Sequence, residues 1–176
     1  MKRLYFSLIG IITFVGFAAL ALADEDHGTA WDQKINSRHR FKVLSQFDGA
    51  AVLDKETGRV WEQSPSISRF TWNDAQASFH CNNLSVGNRK GWQLPTIQEL
   101  ASLVDGNSTN TSSPRLPSGH PFQHVESSFY WSATTLAFDT SLAWGVLFSD
   151  GGVSAVGKTN GSFVWCVRGG QGVDPQ

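Results

Sequence analysis

The N-terminal segment constrains this chain more than any other feature. Met1-Lys2-Arg3 is basic, and Leu4 to Leu20 is apolar apart from Ser7 and Thr13. Ala21-Leu22-Ala23 is a small-x-small site, and Asp24-Glu25-Asp26 follows at once. A basic start, an apolar middle, a small-residue exit and an acidic continuation form a secretory pattern, which predicts cleavage after Ala23. The competing reading is a retained anchor, since the apolar run approaches the roughly 20 residues that span a bilayer. A membrane association is expected only in that case, because no second apolar run is long enough. The expected location is extracytoplasmic: periplasm, cell surface or secreted.

Export bounds what remains. Of 176 residues, 153 follow Ala23, enough for one domain with its own core. Lys2 and Arg3 leave with the signal, so 12 basic residues face 15 acidic ones, a formal charge of −3. A domain so close to neutral gives no sign of nucleic-acid binding. Cys81 and Cys166 are the two cysteines. In an oxidising compartment a lone pair most often forms one disulfide, the alternative being two buried thiols. By the chain-entropy model such a long loop contributes about 4–5 kcal/mol.

Residues 24–46 read as a polar lead-in without periodicity, and 171–176 as a tail. Ala51-Val52-Leu53 and Arg59-Val60-Trp61 flank a Gly-ended turn, predicting a hairpin. Thr71 and Asp74 have capping-box spacing, and Trp72, Ala75 and Phe79 recur at helical spacing, predicting a helix from about 72 to 84. Thr96 and Glu99 open a second helix on Ile97, Leu100, Ala101 and Val104. Residues 107–121 are a long Ser/Thr/Asn/Pro/Gly loop, either functional or loosely ordered. Strands are expected at 129–131, 143–148, 153–156 and 163–167, with turns between the later ones. Segregated helices and strands make the class α+β.

Four patterns carry possible chemistry. Gly152 to Thr159 matches the P-loop letter for letter, but its middle reads as strand and a turn follows where a helix is needed. Nucleotide binding is therefore not expected. Trp72-Asn73-Asp74 resembles the tripeptide that supplies calcium ligands in calcium-dependent lectins, yet here it opens a helix, where Asn73 and Asp74 serve the helix dipole. His120 and His124 have metal-ligand spacing with Glu126 nearby, but Gly119 and Pro121 oppose a helix, so no metal is expected. No nucleophile constellation is assembled, so neither an enzyme nor a cofactor is expected. Most of the seven tryptophans read as core, and Trp144 is the first candidate for an exposed, sugar-stacking ring.

Together these stretches resemble a known family. They are Val52-Leu53-Asp54-Lys55-x-Thr57-Gly58-x-Val60-Trp61, Trp72-x-x-Ala75 with Cys81-x-x-Leu84, Gly91-Trp92-x-Leu94-Pro95-Thr96-x-x-Glu99-Leu100, Tyr130-Trp131-Ser132-Ala133-Thr134 and Cys166-Val167-Arg168-Gly169. The resemblance is to the DUF1566 or Lcl C-terminal domain family, named for a collagen-like adhesin, and covers about residues 47–170, a domain that takes up nearly all of the chain after the expected signal. It implies a C-type lectin-like fold: two helices on a twisted, mostly antiparallel sheet, with long loops making a ligand face. It also implies that Cys81 and Cys166 join the first helix to the last strand. The collagen-like stalk is missing here, so trimerisation by that route does not carry over. The resemblance implies a non-enzymatic, adhesin-like or glycan-binding role. The expected ligand face is Asp139, Thr140, Trp144, Asp150, Lys158 and Asn160, each equally an ordinary turn residue. The alternative is an assembly component docking on an envelope protein.

Overall fold

The computed structural model describes residues 35–77, 80–107 and 111–169. The expected signal segment, most of the lead-in and the tail lie outside these residues. Among the described residues no helix is long and apolar enough to cross a membrane. The elements are α1 (Ser37–Arg40), β1 (Phe41–Val43), β2 (Ala51–Asp54), β3 (Arg59–Glu62), α2 (Trp72–Ala77), α3 (Ile97–Ser102), β4 (Phe129–Thr135), β5 (Leu142–Leu147), β6 (Gly152–Gly157) and β7 (Val167–Arg168). They form two antiparallel sheets, ordered β1-β2-β3-β7 and β4-β5-β6. The class is α+β, as the element order predicts.

The hairpin forms as read. Leu53 pairs with Val60 and Asp54 with Arg59, around a turn that Gly58 closes at φ +68°, a conformation costly for other residues. All four residues of β2 are buried, because it lies between two apolar clusters. Ala51 and Leu53 face one cluster, with Trp92, Trp131 and the cystine; Val52 faces the other, with Trp61, Tyr130, Phe148 and Trp165. Trp61, Trp92, Trp131 and Trp165 are thus core residues, while Trp72 and Trp144 are half-buried. The second capping box is complete: Thr96 Oγ1 accepts from Glu99 N–H, and Glu99 Oε2 accepts from Thr96 N–H. From this start α3 buries Leu100, and Leu103 just beyond it, in the second cluster.

Four expectations are corrected. The predicted helix 72–84 is a helix only over Trp72–Ala77; residues 78–79 lie outside the described set, and Cys81–Asn83 form a turn closed by Leu84 N–H on Cys81 O. The predicted strand 163–167 is paired as a strand only at Val167–Arg168. Before that the chain crosses between the sheets, with Tyr130–Phe163 bridging in parallel and Cys166 O accepting from Glu62 N–H. The long loop is not loosely ordered where it is described. Arg115 N–H donates to Phe148 O at 2.7 Å, and Leu116 is buried in the second cluster.

The fourth correction concerns the lead-in 24–46. Its last residues belong to the fold, since β1 pairs with β2 in register from Phe41↔Asp54 to Val43↔Val52. Arg40 is buried, and its guanidinium forks onto Asp54: Nε to Oδ1 at 2.8 Å and Nη2 to Oδ2 at 2.7 Å. Nη2 also donates to Ser102 O at 2.8 Å, tying the segment to the end of α3. Removing one member of a buried pair strands the other charge, at about 3–5 kcal/mol. Arg40→Leu is therefore expected to lower the free energy of unfolding by that amount, read as a fall in the urea midpoint. An unchanged midpoint would mean that the lead-in contributes nothing to the domain.

Candidate functional site

The late loops meet at one end of the β4-β5-β6 sheet. The β4–β5 connection runs from Leu136 to Ser141 and closes on itself, with Leu136 N–H on Leu142 O and Leu142 N–H on Asp139 O. The turn after β6 reaches it through Lys158 N–H on Ser141 O at 2.9 Å, and the start of α2 joins through Trp72 N–H on Lys158 O. The Lys158 ammonium donates to Thr135 Oγ1 at 2.9 Å and sits 3.8 Å over the Trp72 ring. Asp139 Oδ1 accepts from Ser141 N–H and Oγ–H, and these bonds hold its carboxyl below the usual range by favouring the charged form. Between Ala137 and Asp139 stands Phe138, 88% exposed.

This corner brings together Asp139, Thr140, Lys158 and Asn160. Trp144 is not part of it: it pairs with Ala155 in mid-sheet and is half-buried, so it offers no open platform. Asp150 belongs to the opposite end of the sheet, where its Oδ1 caps the β5–β6 turn by accepting from Gly152 N–H at 2.8 Å. The six residues of β5 separate the two ends by about 17 Å. Phe138 is the residue that the tryptophan count hides; a large aromatic in a turn-rich stretch is its signal.

The P-loop match forms β6 and a turn. Gly152–Gly157 pairs along its whole length with β5, and Lys158 is engaged by Thr135 and Trp72. Trp72-Asn73-Asp74 opens α2 as read, with Asp74 bonded to Thr71 Oγ1. His120 and His124 do not converge on a metal-binding group. His124 Nδ1 lies 3.1 Å from Ser64 Oγ, while the half-buried His120 stacks on Phe122. Ser112, Ser113, Leu116, Ser118 and His120 line a shallow cleft of about 310 Å³ in the long loop.

A second cluster lies inside the domain. Among the described residues, one group of metal-ligating side chains converges: Glu62, His80 and Cys166, with one donor atom each within 4.8 Å of the others. Cys166 is bonded to Cys81 across a Cα–Cα distance of 5.5 Å, which ties the turn after α2 to the lead of β7. Glu62 Oε2 accepts from Cys166 N–H at 2.8 Å, yet burial pushes its carboxyl up to about 7. Burial also lowers the pKa of His80, whose Nε2 is enclosed without a hydrogen-bond partner. Its ring is held 4.8 Å from that of Phe70. These positions are far apart in sequence, so spacing does not reveal them.

Among protein families, the model of the Lcl C-terminal domain matches residues 50–168, more than half of the chain. No curated protein matches it. The matched span holds both the loop corner and Glu62. Because the carboxyl of Glu62 is raised from 4.5 to about 7, the folded state binds the extra proton. The stability this brings is complete below the unfolded value and is lost as pH rises through the folded one. Glu62→Gln keeps an acceptor for Cys166 N–H but cannot ionise. Relative to wild type it is expected to gain about 2–3 kcal/mol between pH 5 and pH 8, read by urea denaturation across that range. Parallel curves would show that Glu62 does not titrate in this window.

Proposed function

Because the chain belongs to the Lcl C-terminal domain family, we propose that it is an exported, non-enzymatic binding domain that takes a cell-surface glycan at the loop corner of the β4-β5-β6 sheet. The observation that carries this reading is Phe138, a large apolar ring left in solvent on a loop that is closed by its own backbone hydrogen bonds. An aromatic face stacks on the apolar face of a sugar ring. The Asp139 carboxylate, the Thr140 hydroxyl and the Asn160 amide stand nearby as partners for sugar hydroxyls. The excess of acidic residues after Ala23 favours neutral over sulfated glycans, since the latter call for a basic patch. The cystine and the secretory N-terminus support an extracytoplasmic location.

The test is a panel of neutral and sulfated glycans, read with calcium and with chelator. Neutral glycans are expected to bind, and Phe138→Ala to weaken them at least tenfold with the melting temperature unchanged. An empty panel, or equal binding by Phe138→Ala, would defeat the glycan reading.

A second reading, docking on an envelope protein, is favoured by β6. It is the outer strand of its sheet, it has neither a charged residue nor a proline, and Val153 on it is 47% exposed. Sheet edges are ordinarily blunted by such residues. If this reading holds, pull-down from intact envelopes is expected to yield a stoichiometric partner that Val153→Lys releases.

A further inference from the structure

We propose that Glu62, His80, Cys81 and Cys166 form a redox-gated metal site: with the disulfide reduced, they bind one zinc ion, which takes over the cystine's task of joining the turn after α2 to β7.

The argument starts from the donors. Glu62 offers a carboxylate oxygen, His80 an imidazole nitrogen and Cys166 a sulfur, mutually within 4.8 Å. Cys81 sulfur is bonded to that of Cys166, so a fourth donor is already at the cluster. Two sulfurs, one imidazole and one carboxylate are a set that zinc accepts in tetrahedral geometry, with Zn–S near 2.3 Å and Zn–N or Zn–O near 2.0–2.2 Å. Those bond lengths put donors about 3.3–3.8 Å apart. The two sulfurs must separate and the other donors close by about an ångström, within the range of side-chain rotation.

The surroundings argue in the same direction. Glu62, Cys81 and Cys166 are all buried, and His80 Nε2 is enclosed with no partner. An enclosed ring nitrogen without a partner is costly, and burial penalises the charged Glu62 carboxylate even with Cys166 N–H bonded to it. Among the described residues, neither group is in an ion pair. A divalent cation supplies one bond to each.

The chemistry balances. A dithiol gives two electrons and two protons to the cystine, becoming a cyclic disulfide itself and leaving two thiols. Zinc then displaces the two thiol protons to solvent, together with that of Glu62 when it is protonated. Neutral His80 binds through a lone pair. A disulfide oxidant reverses this by exchange: it takes two electrons from the thiolates and two protons from solvent to become two thiols, the two thiolates re-form the cystine, and the ion, left with two of its four ligands, is released.

The experiment uses the full chain, reduced with a dithiol and freed of it under anaerobic conditions, with Co²⁺ as the optical probe and Zn²⁺ as competitor. The reduced chain is expected to bind one Co²⁺ with thiolate-to-cobalt charge-transfer absorption, to show native near-ultraviolet circular dichroism in the bound form, and to release the cobalt to zinc. His80→Gln and Glu62→Gln are each expected to weaken cobalt at least tenfold. The oxidised chain is expected to show no such absorption. Failure of the band to appear overturns the proposal, as does a band without the native dichroism. Equal affinity in either variant would mean that two thiolates of an opened chain hold the ion. Equal binding by the oxidised chain would remove the redox gate.

Discussion

Everything in this domain depends on burying the stretch Ser162–Val167 along its whole length. It runs between two sheets and contributes to both apolar clusters, Val164 and Cys166 to one and Phe163, Trp165 and Val167 to the other. Such burial is tolerable only if each backbone polar group is paired. The partners come from five directions: Phe70 at Ser162, β4 at Phe163, Ser66 at Val164, Glu62 at Cys166 and Gln93 at Val167. Trp165 adds its own indole N–H to Glu62 O. The disulfide fastens the same stretch covalently to the turn after α2. A chain segment so thoroughly committed explains how two small sheets and three short helices hold together as one body.

Local chemistry was legible in the sequence wherever one residue dictates the backbone. The hairpin follows from Gly58, and the start of α3 from Thr96 and Glu99, because each motif completes its own hydrogen bonds. The family is legible too, from the Gly91–Leu100 block and the Cys166–Gly169 ending. Arg40 was not. A cation in a polar stretch reads as solvated, and nothing local says that Asp54 waits for it in the interior. The crossing segment was misread for a related reason: its apolar run resembles a central strand, but its partners lie on several elements.

The grouping of the late loops was half legible. Turn residues identify loops, but not which loops share an end of a sheet. In an antiparallel meander successive turns alternate ends, so the β4–β5 connection and the turn after β6 fall together while the β5–β6 turn falls opposite. That rule separates Asp150 from Asp139 and Lys158, and it could have been applied to the strand order alone. The Glu62 cluster was not legible, since its members are joined by cross-strand register and by the cystine.

The β4–β5 loop closes by hydrogen bonds made almost wholly by its own backbone and by Asp139 with Ser141. The side chains of Ala137, Phe138 and Thr140 are exposed. Their identity is thereby uncoupled from folding. A lineage can rewrite those three positions while the buried scaffold stays the same. The chemistry of this corner can drift quickly on a core that changes slowly.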